Sequence, residues 1–325
     1  MKHLSILVLH DITLPSLDIS RTLFTRVNDF LKEKGEQPIF NIELVGLTKV
    51  TQTDGGLYSI RVDKLLQEVD ETNLIIIPQV CGSFPAILDH NADFVPWITD
   101  KYKKGAEIAS LCVGAFLLAS TGLLKGRQCA THWATANEFR KMFPDVNLID
   151  NKIITDEQGI YTSAGNFSYL NLILYLIEKF AGRKMCVFVS KMFEIEIERK
   201  TQAPFIIFMG QKDHGDELVT KAQEFIECNY RDKITIDQIA SLLFVGRRNL
   251  ERRFKKATSN SVIEYIQRVK VEAVKKGLET SRRSILELMQ EVDYADTKSF
   301  RDIFKKITGL SPAEYKRKYN MALAS

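Results

Sequence analysis

A chain of 325 residues, 45% hydrophobic and 26% charged, is too long for one ordinary core and too apolar to stay unfolded, so two or more folded domains are expected. No apolar run approaches the roughly 20 residues of a membrane span, and the start, MKHLSILVLH, lacks a signal peptide's cleavage region, which predicts a cytoplasmic protein with no membrane partner. The net charge of +4 is uneven: residues 1–210 hold 22 basic and 24 acidic side chains, residues 211–325 hold 23 and 17, so a polyanion is expected to bind the tail.

In chain order, residues 4–9 (LSILVL) form a continuous apolar run, of the kind found in strands covered on both faces, and residues 42–47 and 74–77 repeat it. Helical patterns at 20–34, 61–69 and 92–104 lie between and after them. Strands alternating with helices predict an α/β domain with a mostly parallel sheet. Residues 108–111 supply an inner strand, at whose carboxyl end, where ligands of such sheets gather, stands Cys112. A small-residue helix starting at Gly114 makes this a sharp strand-to-helix elbow, a position that suits a nucleophile, and the helix N-terminus favours a thiolate. His132, twenty positions on and beside Trp133, stands as a base or a hydrogen-bond partner. Five cysteines, at 81, 112, 129, 186 and 228, are odd in number and lack CxxC spacing, which argues against a disulfide framework or a zinc site; no metal or cofactor is expected. Strands at 152–155 and 160–163 and a helix at 168–180 complete the layer. A further helix, 183–200, carries the acidic comb Glu194, Glu196, Glu198, residues 202–210 read as a closing strand or extended segment, and the polar 211–217 (QKDHGDE) reads as a linker.

From residue 218 the pattern is helical. Ile236, Ile239, Ala240 and Leu243 follow the i, i+3, i+4, i+7 rule, as do Val262, Tyr265, Ile266 and Val269, and Ile285, Leu288, Met289 and Val292. Four capping-box signals mark helix starts: Thr235 with Gln238, Ser261 with Glu264, Ser284 with Glu287, and Ser311 with Glu314. One plan occurs twice: a short helix (236–243), a turn and a basic helix (247–257), then 285–292, a turn and 297–307. Each reads as a helix-turn-helix, and two such units can address major-groove segments about 34 Å apart on one DNA face.

The tail, in ITIDQIASLLFVGRRNLERRFKKATSNSVIEYIQRVKVEAV and VDYADTKSFRDIFKKITGLSPAEYKRKY, resembles the DNA-binding domain of AraC/XylS-type transcriptional regulators. The front, in IASLCVGAFLLASTGLLKGRQCATHW, in IYTSAG and in QAPF, resembles the DJ-1/PfpI-like domain of class I glutamine-amidotransferase-like proteins. Together they resemble the two-domain regulators often called GlxA-type. The resemblance implies a flavodoxin-like α/β sheet sandwiched by helices over 1–210, for ligand sensing and dimerisation, a linker at 211–217, and an all-α DNA-binding domain with two helix-turn-helix units over 218–325.

In catalytic relatives the cysteine works with a histidine and with a glutamate after the first strand. No Glu precedes Glu33 here, and Asp11 and Asp18 do not supply that identity, so Cys112 and His132 read as vestiges of catalysis and the chain as a non-enzyme. Cys112, Val113, His132, Asp11 and Asn171 are expected to line an effector pocket. Where the resembling regulators carry an Asp, Asn171 carries an amide, which predicts a less basic effector. In the tail, Arg247, Arg248 and Arg252 on the first recognition helix, and Thr297, Lys298 and Arg301 on the second, are expected to meet DNA, since arginine forks match guanine O6 and N7. Arg253, Lys255, Lys256, Lys305 and Lys306 are assigned to phosphate or water. The leading reading is a transcriptional regulator that binds double-stranded promoter DNA and a small-molecule effector as a homodimer. A cysteine-dependent hydrolase or amidase, a glyoxalase-like enzyme and a thiol redox sensor stay open beside it.

Overall fold

The computed structural model describes residues 1–197 and 199–320, so Glu198 of the acidic comb and residues 321–325 of the expected tail domain lie outside the described residues. The chain divides into two units, Met1–Gln202 and Ala203–Ser325.

In the first unit β1 (Lys2–Val8) leads through α1 (Leu14–Glu33) to β2 (Phe40–Gly46), then to β3 (Val50–Thr53), β4 (Tyr58–Arg61), β5 (Lys64–Leu65) and β6 (Leu74–Ile77). Next come α2 (Phe84–His90), α3 (Phe94–Lys103), β7 (Glu107–Ser110) and α4 (Ala115–Ser120). β8 (Gln128–Cys129), α5 (Ala136–Met142), β9 (Asn147–Leu148), β10 (Ile154–Glu157), β11 (Ile160–Ser163), α6 (Tyr169–Ala181) and α7 (Arg183–Met192) complete it. Seven strands pair in the order β10-β11-β7-β6-β1-β2-β5, parallel throughout except for β10. Helices cover both faces, so β1 and β6 bury nearly every side chain, which is why their sequences are unbroken apolar runs rather than alternating ones. From β1 the chain winds outward to β2 and β5, then returns to β1's other side as β6. That reversal opens a crevice at the carboxyl ends of β1 and β6, where α/β sheets take their ligands. Gln158 and Gly159, both with positive φ, form the two-residue turn that brings β11 back antiparallel to β10.

The second unit contains α8 (Glu217–Cys228), α9 (Ile236–Leu242), α10 (Arg247–Thr258), α11 (Val262–Thr280), α12 (Ile285–Glu291), α13 (Thr297–Thr308) and α14 (Pro312–Tyr319). All four capping boxes form, the hydroxyls of Thr235, Ser261, Ser284 and Ser311 each accepting from the backbone N–H three residues on. Two hydrophobic cores result. One gathers Val219, Ile226, Ile239, Leu250, Phe254 and Tyr265, the other Val274, Leu278, Leu288, Phe300, Phe304 and Tyr315. α11 runs through both.

Several expectations shift. Residues 61–69 form no helix; Ile60, Val62 and Leu66 turn inward at even spacing, and Asp63 exchanges two hydrogen bonds with Leu44 on β2. That is strand chemistry, ended by a single 3-10 turn at Leu66–Glu68. The helix read at 183–200 stops at Met192: Glu194 takes positive φ, and Ser190 and Ile195 bond each other's backbone groups to turn the chain. Residues 202–210 form no strand but a 3-10 turn at Ala203–Phe205. The division also falls after Gln202 instead of after 210. Phe208 packs on the first tail core and its N–H donates to Glu272, while Lys275 donates to Ile206 O. Residues 211–217 are tied down as well: Gln223 donates to Gln211 O and pairs with His214, and Asp216 caps α8.

The elbow after β7 depends on Gly114, where an added Cβ would stand 2.6 Å from Pro78 O and 2.8 Å from Ile77 O. Gly114→Ala should therefore destabilise the first unit by about 1–3 kcal/mol. Both tryptophans, Trp97 and Trp133, lie in that unit, so a lower urea midpoint by tryptophan fluorescence is the expected result; an unchanged midpoint would mean that the β6 backbone yields.

Candidate functional site

The crevice at the sheet's carboxyl edge is a cavity of about 1010 Å³. The loop after β1 contributes Asp11 and Thr13, the first turns of α1 Asp18, the loop after β6 Gln79 and Cys81, the turn after β11 Asn166 and Phe167, and the start of α6 Tyr169. Thr53, Asp54 and Tyr58 enter from the β3–β4 hairpin, which is fastened by the Thr53 hydroxyl donating to Ile12 O at 2.5 Å. The wall thus combines three carboxylates with three aromatic rings. Asp11 Oδ2 lies 3.3 Å from His90 Nδ1, within hydrogen-bond distance. The hairpin residues were missed in the sequence, although Asp54-Gly55 between β-forming residues is a recognised hairpin signal.

Cys112 lies beneath this cavity rather than in its wall. The residue is fully buried, with φ +55, the strained geometry of an elbow. Its N–H donates to Ser163 Oγ at 3.1 Å, its carbonyl accepts from Thr131 Oγ1 at 3.0 Å, and Sγ accepts from Asn166 N at 3.3 Å. The expected thiolate is not favoured. Burial pushes the thiol up to about 11, against the weaker pull of backbone N–H groups of Asn166 and Val113. Desolvating a full negative charge outweighs a short helix terminus and two hydrogen bonds.

His132 is engaged elsewhere. Its Nδ1 accepts from Ala134 N at 3.0 Å, capping the turn Trp133–Thr135, and burial holds its pKa below the usual histidine value, so the neutral ring prevails at pH 7. A Cβ on Gly165 would stand 2.0 Å from His132 Cδ2, so that glycine lets the ring approach the backbone beside Asn166. Among the described residues no hydrogen bond joins Cys112 to His132. Val113 is buried in the core. Asn171 donates to Glu196 O at 2.6 Å, fastening the chain after α7 to α6, so its amide does not set the cavity's charge. Of the five residues expected to line the pocket, the cavity reaches Asp11.

In the second unit α9–α10 and α12–α13 are helix-turn-helix pairs, and the repeat extends to individual bonds. Leu250, Phe254 and Thr258 face one core as Phe300, Phe304 and Thr308 face the other, fifty positions on; both threonines donate to the carbonyl four residues back. Both helices end on a left-handed residue, Ser259 and Gly309. With these faces inward, Arg247, Arg248, Arg252, Lys298 and Arg301 are exposed and Thr297 is half-buried. Arg247 is held by Asp237 at 3.1 Å and Glu251 at 3.3 Å, and Arg252 donates to Asn249 Oδ1 at 3.1 Å. Arg253 departs from its phosphate assignment. Its guanidinium forks onto Asp216, at 2.9 and 2.5 Å, tying α10 to the N-cap of α8.

Residues 27–179 match the DJ-1/PfpI family, and residues 239–318 match a helix-turn-helix domain family. The HTH-type transcriptional regulator GbdR of Pseudomonas aeruginosa is 25% identical over 242 residues, 72% of this chain and 64% of that protein, so just under two thirds of the relative's length is matched. CdhR of the same organism, also an HTH-type transcriptional regulator, is 22% identical over 82% of this chain and 80% of its own. Over 34% of the chain and 53% of the relative, the bifunctional transcriptional activator/DNA repair enzyme AdaA of Bacillus subtilis reaches 32%. Among solved structures, a Vibrio parahaemolyticus protein has a TM-score of 0.53 at 21% identity over 59% of this chain and 98% of its own. Drosophila melanogaster DJ-1beta has 0.50 at 16% over 60% and 98%. These two likenesses show a shared fold.

The burial of Cys112 predicts its reactivity. In the native protein, iodoacetamide should label the exposed Cys81 and Cys228 near pH 8 and leave Cys112 unlabelled, its rate rising only toward pH 11. Peptide mass spectrometry reads this directly; rapid labelling of Cys112 at pH 8 would contradict the buried, neutral thiol.

Proposed function

We propose that this chain, which joins a DJ-1/PfpI-family domain to a helix-turn-helix domain, is a one-component transcriptional regulator that binds promoter DNA under the control of a small metabolite. The observation that carries this reading is the duplicated helix-turn-helix, with its apolar faces buried in two cores and basic residues exposed on both second helices. The named relatives that are transcriptional regulators support it.

Under this reading Arg248 and Arg252 address base edges from α10, and Thr297, Lys298 and Arg301 do so from α13, while Arg247, already paired, orients the start of α10. Lys255, Lys256, Lys305 and Lys306 meet phosphates. The effector occupies the cavity at the sheet edge. Asp11, Asp18 and Asp54 favour a positive charge there, and Tyr58, Phe167 and Tyr169 favour a flat or apolar body beside it. Binding shifts the population of DNA-competent states by whatever affinity difference the effector has between them. Two copies of the chain act together in the cytoplasm, a point that sedimentation equilibrium tests. The buried, neutral thiol supports a regulator over a cysteine enzyme or a redox sensor.

Enrichment of one duplex from a randomised pool is the primary test, and two variants refine it. Arg252→Ala should cost about 1–3 kcal/mol on the enriched duplex and relax preference at one position, whereas Lys256→Ala should weaken all duplexes alike and reduce the salt slope by about one. Equal losses on enriched and random DNA for Arg252→Ala would remove that arginine from base reading.

A further inference from the structure

Lys270 is 5% exposed, at the point on α11 where one core ends and the other begins. Val262 and Tyr265 precede it into the first core; Val271, Val274 and Leu278 follow it into the second. Its Nζ donates to Asp232 O at 3.0 Å, in the loop between α8 and α9, and to Val292 O at 2.8 Å. Val292 is the C-cap of α12, one residue before the left-handed Asp293 that turns the chain toward α13. The Tyr294 ring lies 5.7 Å from the ammonium. One buried cation therefore holds a carbonyl from each helix-turn-helix lobe. Desolvation draws its pKa below the ordinary lysine range, and the carboxylates of Asp293 and Asp232 oppose that.

The ion pairs near this junction are more open to solvent. Glu291 on α12 pairs with Arg231 at 3.0 Å and with Arg283, whose side chains are 65% and 49% exposed. Salt and water weaken such pairs, while carbonyls that answer a buried ammonium cannot be replaced by solvent without opening the core. If either lobe rotated away, a largely buried ammonium would lose one of its two carbonyl partners.

We propose that Lys270 is a positioning residue that fixes the phase between the two helix-turn-helix units, so that they engage two DNA segments at one separation only. This rests on the regulator reading above. Inserting one base pair between the segments moves one against the other by about 3.4 Å and rotates it by about 35°, a change a locked pair of lobes cannot follow.

The full-length protein tests this. The duplex enriched by wild type is footprinted, base pairs are inserted or removed between its two protected segments, and affinities are measured by fluorescence anisotropy for wild type, Lys270→Met and Lys270→Arg. Wild type should lose about tenfold or more for one inserted base pair. Lys270→Met, which keeps length without charge, should lose less than about threefold, and Lys270→Arg, which keeps charge and donors, should restore the wild-type penalty. Circular dichroism checks folding, and if Lys270→Met loses helix content, Lys270→Gln is read in its place. An unchanged spacing penalty in the uncharged variant would overturn the proposal; so would equal relaxation by Arg and Met, which would trace the effect to packing. Failure of wild type to enrich any duplex would instead overturn the regulator reading, and this proposal with it.

Discussion

Several buried polar side chains in this protein are answered by the backbone rather than by an opposite charge. Asn28 donates to Phe40 O and accepts from two backbone N–H groups, which fixes α1 against the start of β2. Lys101 reaches Val69 O and Asp70 O, both at 2.7 Å, and so holds α3 to the approach of β6. Gln202 grips Thr131 O and Asp150 O where the first unit ends. Carbonyls are fixed by the fold, so a side chain that must satisfy itself on two of them locks two segments together. The joints of both units are built this way.

The same constraint governs the elbow. The backbone at Cys112 has the geometry that presents a nucleophile, yet the sulfur is buried and served by amide groups that stabilise it only weakly as an anion. Geometry and chemistry have separated. Ser163, Thr131 and Asn166 now use the cysteine's polar atoms as fastening points for the strand ends that carry the cavity. His132 is spent in a similar way on the turn that follows it.

Much of this was legible in the sequence, for physical reasons that differ along the chain. The tail's helix starts were readable because a hydroxyl and a carboxamide or carboxylate three residues apart satisfy the same two N–H groups wherever they occur, and Thr235, Ser261, Ser284 and Ser311 all do so. The inner strands were readable because double burial leaves no room for polar residues. The segment at 61–69 was misread because Val62, Leu66 and Val69 also fit a helical i, i+4, i+7 stripe, and the pairing that decides against it comes from Leu44, on a different strand. The cavity wall was only partly visible: Asp11 could be placed from its loop, but Asp54 and Tyr58 reach the site through a hairpin fastened in part by a hydroxyl bond to Ile12. Arg253 looked like its basic neighbours; only tertiary structure brings Asp216 beneath it.

The fifty-residue repeat has one more consequence. Helices α10 and α13 share an inner face down to a pair of threonine bonds, but their outer faces differ: one carries Arg248 and Arg252, the other Lys298 and Arg301. A duplicated frame with unequal faces has no internal dyad. On the proposed reading, a duplex engaged by a single chain therefore has a head and a tail, and turning the site around would put each helix on the other's bases. Direction along the DNA is then a property of one folded chain.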